Sequence, residues 1–197
     1  MGFPSVLTMA QRWVAERARP GSAAVDATAG TGADTLFLAR TLGPKGRVFA
    51  FDVQEEALER TRARLAAASA SEALAEVELL HAGHERMAEL VPAEWRGKIQ
   101  AVMFNLGYLP GGSDLSVITR PDTTLRALEQ ALALLAPGGA LTAVLYPGHP
   151  GGDAEALAVE AWAAHLPPAQ AQTVLYRFPQ KPHAPYLIAL EKKREDG

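Results

Sequence analysis

The sequence predicts an α/β fold: one seven-stranded sheet, mostly parallel with the last strand antiparallel, and helices on both faces. Three observations carry the prediction. Short β-rich apolar runs alternate with amphipathic stretches of helical length, the pattern of βαβ units. A glycine-containing turn at 30–32 joins the first apolar run to the helical stretch behind it. The last two apolar runs are joined by a segment too short for a helical crossover, so they must pair antiparallel.

Taken in order, 6–17 read as a leading helix, 23–27 as a short buried strand, and 34–41 as a helix stopped by the turn at 43–46. Residues 47–52 form the second strand. The helix over 55–68 places acids first and arginines later, in line with the helix dipole. Strands follow at 77–81 and 99–105. A helix over 123–135 is stopped by Pro137, Gly138 and Gly139. Then come a strand at 140–146, a helix over 153–165 ended by Pro167 and Pro168, and strands at 172–178 and 186–192. The alanine-rich stretch 66–75 reads as a helix end. No repeat and no domain boundary is visible, so 1–197 is expected to be one domain, with an N-terminal helix in 1–20 and a core over 21–192.

Composition narrows the function classes. With 48% hydrophobic and 21% charged residues the chain can bury a normal core. It has no cysteine, which excludes disulfides, a cysteine nucleophile and thiolate metal sites. No run of 18 apolar residues suggests a membrane span. The N-terminal residues lack a basic start followed by an apolar segment, so a cytoplasmic protein is expected. The net charge of −3 gives no general attraction to nucleic acid, and an RNA substrate would need a local basic patch.

The turn after the first strand runs Val25–Asp26–Ala27–Thr28–Ala29–Gly30–Thr31–Gly32–Ala33–Asp34–Thr35. Its glycines permit a sharp turn and close ligand approach, and the helix N-terminus behind them offers free N–H groups to a carboxylate. A dinucleotide fingerprint asks for glycine or alanine where Thr35 stands. Asp26 would repel a pyrophosphate, but it can hold the ammonium of S-adenosylmethionine (AdoMet). Asp52 ends the second strand 20 residues after Gly32, where an acid accepts hydrogen bonds from ribose hydroxyls, and the Gln54 amide can assist. After the third strand, Gly83 and His84 stand where adenine binds in this architecture. The plain alternatives are a ligand-free βα turn, a helix-leading acid at 52, and a capping or surface histidine at 84. Ala29, Gly30, Thr31, Gly32, Asp34, Thr35 and, at the end of the fourth strand, Asn105 complete the expected cofactor set.

The fourth strand ends in Asn105–Leu106–Gly107–Tyr108–Leu109–Pro110, reminiscent of the Asn-Pro-Pro-Tyr motif of amino-group methyltransferases. Nitrogen attack on a sulfonium methyl needs an in-line neutral lone pair. The Asn105 oxygen and the Leu106 carbonyl can orient an amine, and Tyr108 can stack on a base. His149, in the loop after the fifth strand, is a candidate substrate contact or proton acceptor. The connection between the last strands is locally basic through Arg177, Lys181 and His183, which would suit a nucleic-acid backbone or merely be solvated.

Taken together, VDATAGTGADTLFLA, FAFDVQEEAL, HAGHE, NLGYLPGGSD, YPGHPGG and FPQKPHAPYLIALEK resemble the rRNA methylase family of class I AdoMet-dependent methyltransferases, over roughly 25–192. The resemblance implies a Rossmann-like fold, AdoMet as cofactor and methylation of the 5-aminomethyl group of wobble 2-thiouridine in tRNA. Another RNA site such as rRNA, or a small amine, is the alternative substrate. A homodimer is a further expectation. The chain departs from the family at Ala29, Thr31 and Ala33, where Cys, Asn and His are usual, and at Pro179, His183 and Ala184 in the last motif. A non-catalytic AdoMet- or RNA-binding module and an NAD-dependent oxidoreductase are the readings from other classes.

Overall fold

The computed structural model describes residues 2–114, 116–148 and 151–194. Helix α1 (Val6–Ala15) starts at Ser5, whose hydroxyl accepts the Thr8 N–H at 3.1 Å, and buries Val6, Ala10 and Val14 along one stripe. Strand β1 (Ala23–Asp26), helix α2 (Ala33–Leu42), strand β2 (Arg47–Asp52), helix α3 (Glu55–Ser69) and strand β3 (Glu76–His81) follow as the pattern predicts. Between β3 and β4 (Ile99–Asn105) the chain makes short helical turns at 84–86 and 93–95 around helix α4 (Met87–Leu90), which the sequence reading left unassigned. Helix α5 (Pro121–Leu134) carries proline in its first turn, where no N–H is lost from the helix ladder. Strand β5 (Leu135–Leu145), helix α6 (Gly152–His165) and strands β6 (Ala171–Tyr176) and β7 (Tyr186–Lys192) complete the chain.

The sheet order is β3-β2-β1-β4-β5-β7-β6. Strand β7 runs antiparallel to both neighbours, β5 and β6, and is inserted between them, while the remaining ladders are parallel. The antiparallel final pair is therefore as expected. One boundary differs. Pro137, Gly138 and Gly139 lie inside β5, not in a loop ahead of it, and form a bulge where the register jumps from Leu135 opposite Ile99 to Ala140 opposite Ala101. A Cβ on Gly139 would meet the Ile99 and Gln100 carbonyls at 3.1 Å, so only glycine lets the bulged strand approach β4.

Along β4 the side chains alternate. Val102 and Phe104 face a core shared with α5 and α6, while Ala101 and Met103 face a second core with α1 and α2. Fully buried Phe49, Phe51 and Phe104 each contribute about 1.5–3 kcal/mol of apolar transfer energy. Both faces of the sheet are thereby covered, and the carboxyl ends of its parallel strands are left as the open edge. Among the described residues no helix is long and apolar enough to cross a membrane.

Candidate active site

A cavity of about 510 Å³ opens at that edge, walled by the turns that follow β1, β2, β3, β4 and β5 and by Pro185 ahead of β7. Ligand sites in open α/β sheets form at this edge, outside the strand ends where the strand order reverses. The reversal here is at β1, between β2 and β4.

The turn after β1 forms the near wall. Ala29, Gly30, Thr31 and Asp34 line the cavity, whereas Asp26, Gly32 and Thr35 stand behind it. Asp26 accepts the Thr28 N–H at 3.1 Å and the Thr35 hydroxyl at 2.6 Å, and is 1% exposed. Burial, reinforced by the charge on Asp34, pushes the Asp26 pKa up to about 7. Its carboxyl ties strand to helix and, unlike Asp34, is not part of the cavity lining. Gly32 takes φ +76° at the N-cap of α2, and a Cβ there would lie 2.8 Å from Thr61 Cα. The missing Cβ lets α3 close on the start of α2. Gly30, by contrast, has no atom within 3.6 Å of an added Cβ: its nearest neighbour is the Thr28 carbonyl at 3.7 Å.

Asp52 is fixed from two sides. Its Oδ2 accepts the Gly30 N–H and its Oδ1 accepts the Gln54 N–H, both at 2.9 Å. Each carboxylate oxygen can accept a further bond and Asp52 lines the cavity, an arrangement that suits vicinal hydroxyls. Gln54, Gly83 and His84 also line the cavity. His84 is buried and packs edge-on against Phe104 at 5.6 Å, so it is neither a surface nor a simple capping residue. Burial lowers its pKa below the usual histidine value, and the neutral imidazole is the form this pocket holds at pH 7.

At the far end, the Asn105 N–H donates to the Thr28 hydroxyl at 2.7 Å, locking the end of β4 to the turn after β1. The Asn105 side-chain oxygen is buried with no hydrogen-bond partner among the described residues. Such an orphaned acceptor costs about 1–3 kcal/mol unless a ligand donates to it. Beside it lies Tyr146, a wall residue that the sequence reading passed over in favour of its neighbour His149. Burial raises the Tyr146 pKa, the charge of Asp34 adds to the shift, and a hydrogen bond with Asn105 opposes it. His149 itself lies outside the described residues.

Tyr108 sits half-exposed at the mouth and bridges to Ile118, so that 106–114 and 116–119 form a flap over the cavity. Three side chains hold this flap, and none was singled out from the sequence. Glu56 accepts the Ser113 N–H at 3.0 Å and its hydroxyl at 2.8 Å, and these bonds lower the Glu56 pKa. Arg60 donates to the Pro110 carbonyl at 2.9 Å. Buried Glu155 accepts the Thr119 hydroxyl at 2.7 Å and the Thr124 hydroxyl at 2.6 Å. On the opposite lip, Arg177 stacks 5.0 Å above the Tyr186 ring and donates to the Pro182 carbonyl, so it stiffens the hairpin, while Lys181 is exposed.

A strand order reversing at β1, an inserted antiparallel β7 and this cleft define a Rossmann-like, class I methyltransferase domain. The sequence profile of the family described as "Putative rRNA methylase" matches residues 48–191, and the chain belongs to that family. A tRNA (mnm(5)s(2)U34)-methyltransferase, chloroplastic, of Arabidopsis thaliana is 40% identical over 178 residues, covering 88% of this chain and 64% of that protein. The chain thus spans under two thirds of that relative. Among solved structures, a candidate rRNA methylase from Clostridium thermocellum superimposes with a TM-score of 0.89 at 34% identity, covering 98% of this chain and 100% of the other. A candidate methyltransferase from Streptococcus mutans, SMU.1697c, solved in complex with SAH (S-adenosylhomocysteine), gives 0.82 at 34% identity, covering 97% and 99%.

Proposed function

We propose that the chain is an AdoMet-dependent N-methyltransferase acting on the 5-aminomethyl group of wobble 2-thiouridine in tRNA. The observation that carries this reading is the unpartnered, buried Asn105 oxygen at the end of β4, inside a cleft with Asp52 and His84 at its other end. The residues fit the cofactor. Asp52 presents lone pairs for ribose hydroxyls, Gln54 stands beside it, and Gly83 with neutral His84 supplies an adenine-sized wall. Ala29, Gly30 and Thr31 offer backbone at the N-terminal side of α2, where a carboxylate is favoured. Bound there, AdoMet supplies an electrophilic methyl group.

The protein's own work is orientation. The Asn105 oxygen accepts one N–H of a substrate amine and the Leu106 carbonyl can take a second, which aims the nitrogen lone pair into the cleft. Tyr108 at the mouth offers a face for the base that carries the amine. The flap held by Glu56, Arg60 and Glu155 limits water at the reacting atoms. The tRNA assignment takes its support from the 40% identical plant enzyme. The label of the matched family favours rRNA as the second reading. The NAD reading loses support because Thr35 packs against Asp26 behind the wall and leaves no glycine or alanine at the third fingerprint position.

Calorimetric titration with SAH and NAD, followed by transfer of labelled methyl from AdoMet to hypomodified tRNA and rRNA, tests the proposal. SAH binding and label in tRNA are expected. NAD binding without SAH binding would refute it, and label confined to rRNA would favour the second reading.

A further inference from the structure

Asp34 is the cleft's other unexplained polar group. It projects from the first turn of α2 into the cavity, and its Oδ1 accepts the Gln11 side-chain N–H from α1 at 2.9 Å. Gln11 is neutral, and no Lys, Arg or His among the described residues forms an ion pair with Asp34. The titratable groups that face it are Asp26 on β1 and the Tyr146 phenol beyond β5, with Asp52 farther off through Asp26. None of these brings positive charge. This half-buried carboxylate is held by one neutral hydrogen-bond donor and has no counter-ion among the described residues, so a cationic ligand in the cleft would be stabilised by it.

Two cations compete for it: the ammonium of AdoMet's amino-acid end and the protonated amine of the substrate. The position of Asp34 decides between them. Gln11 bonds Asp34, Tyr146 bonds Asn105, and the Asp34 charge is close enough to raise the Tyr146 pKa, so these two pairs share one end of the cleft. The Asn105 oxygen at the same end is without a partner and calls for an N–H donor. A single alkylammonium with several N–H groups satisfies Asp34 and this oxygen at once.

We propose that Asp34 is the counter-ion and proton acceptor for the substrate amine, with Gln11 as its positioning residue. This rests on the amine-methylating reading above. The substrate enters as R–CH2–NH3⁺. One proton moves to an Asp34 oxygen, leaving a neutral carboxylic acid and a free nitrogen lone pair. That lone pair forms the new N–C bond to the methyl carbon while the C–S bond breaks, and its electron pair stays on sulfur. The product leaves as a secondary ammonium, and Asp34 returns its proton to water at the cleft mouth. Burial raises the Asp34 pKa, with the Gln11 bond opposing the shift. The same burial lowers the pKa of an ammonium, so acceptor and donor are brought toward each other.

The test compares wild type, Asp34→Asn and Gln11→Leu on tRNA carrying 5-aminomethyl-2-thiouridine. For Asp34→Asn the expected result is SAH affinity within fivefold of wild type, with methyl transfer at saturating AdoMet slowed at least tenfold at pH 7. General-base losses run roughly 100- to 10,000-fold. SAH affinity weakened fivefold or more, or transfer slowed less than tenfold, overturns the proposal. Gln11→Leu keeps the carboxylate and covers the case of a misfolded Asp34→Asn. Losing that hydrogen bond raises the Asp34 pKa further, so the rising limb of kcat/KM against pH should move to higher pH. A limb that stays in place overturns the assignment. A wild-type protein that methylates this tRNA at no pH counts against the proposed function itself, not against Asp34 alone.

Discussion

Replacing Gly32 or Gly30 by alanine separates the scaffold of the β1–α2 turn from its ligand surface. Gly32 sits at φ +76°, and its added Cβ would press on Thr61 Cα at 2.8 Å, a backbone atom of α3 that cannot rotate away. Left-handed backbone costs an alanine about 1–2 kcal/mol, and forcing a methyl into packed space adds about 1–3 kcal/mol. The expected loss for Gly32→Ala is therefore about 2–5 kcal/mol. Gly30 has φ +53° but its added Cβ meets nothing closer than 3.7 Å, so Gly30→Ala carries only the strain. At about 2–4 °C per kcal/mol for a chain of this size, Gly32→Ala should melt at least about 2 °C below Gly30→Ala. Binding should run the other way, because Gly30 lines the cavity and Gly32 does not. Calorimetry should show SAH affinity reduced about tenfold or more by Gly30→Ala, and nearly unchanged by Gly32→Ala where the protein is folded. Equal melting temperatures, or weaker binding in the Gly32 variant, would refute the division of labour drawn for this turn.

Other perturbations bear on separate parts of the account. Asp26 has its pKa raised from 3.8 to about 7 on folding, so the folded state binds the extra proton between those values and stability falls as pH rises through that window. Urea unfolding at pH 5 and pH 8 should show Asp26→Asn losing part of the wild-type advantage at pH 5; an unchanged difference would contradict the buried, protonated carboxyl. Glu155→Ala strands the Thr119 and Thr124 hydroxyls and should cost about 2–4 kcal/mol in denaturant unfolding, with Glu155→Gln milder. Arg60→Ala removes an exposed tie and should change stability by less than about 1 kcal/mol, yet raise KM for the RNA by freeing the flap at 110–113; an unchanged KM would show that the flap needs no such tie. Asn105→Ala should slow methyl transfer at least tenfold while leaving SAH affinity near wild type.

Strands β2 and β7 were legible to the residue, because an apolar run with charged or turn residues at both ends leaves one solution. The start of β5 was not. Pro137–Gly138–Gly139 has the composition of a helix stop, and only the approach of β4 turns it into a bulge. The short turns at 84–95 have no repeated apolar spacing to reveal them. In the site, the positions of Asp52, His84 and Asn105 followed from strand ends. That Asp34 and not Asp26 lines the cavity did not, since it depends on how the first turn of α2 sits against the end of β1. In the sequence Glu155 is one of two acids in the first turn of a helix, with nothing to set it apart. Its partners Thr119 and buried Thr124 lie 36 and 31 residues away, a tertiary relation that no local pattern encodes.

The central claim is methyl transfer to an aminomethyl nitrogen on tRNA. Its most direct measurement is mass spectrometry of nucleosides from hypomodified tRNA incubated with the protein and AdoMet. The account predicts that 5-aminomethyl-2-thiouridine is consumed as 5-methylaminomethyl-2-thiouridine appears, heavier by one methyl group. An unchanged 5-aminomethyl-2-thiouridine pool, with or without methylation at another nucleoside, would contradict it.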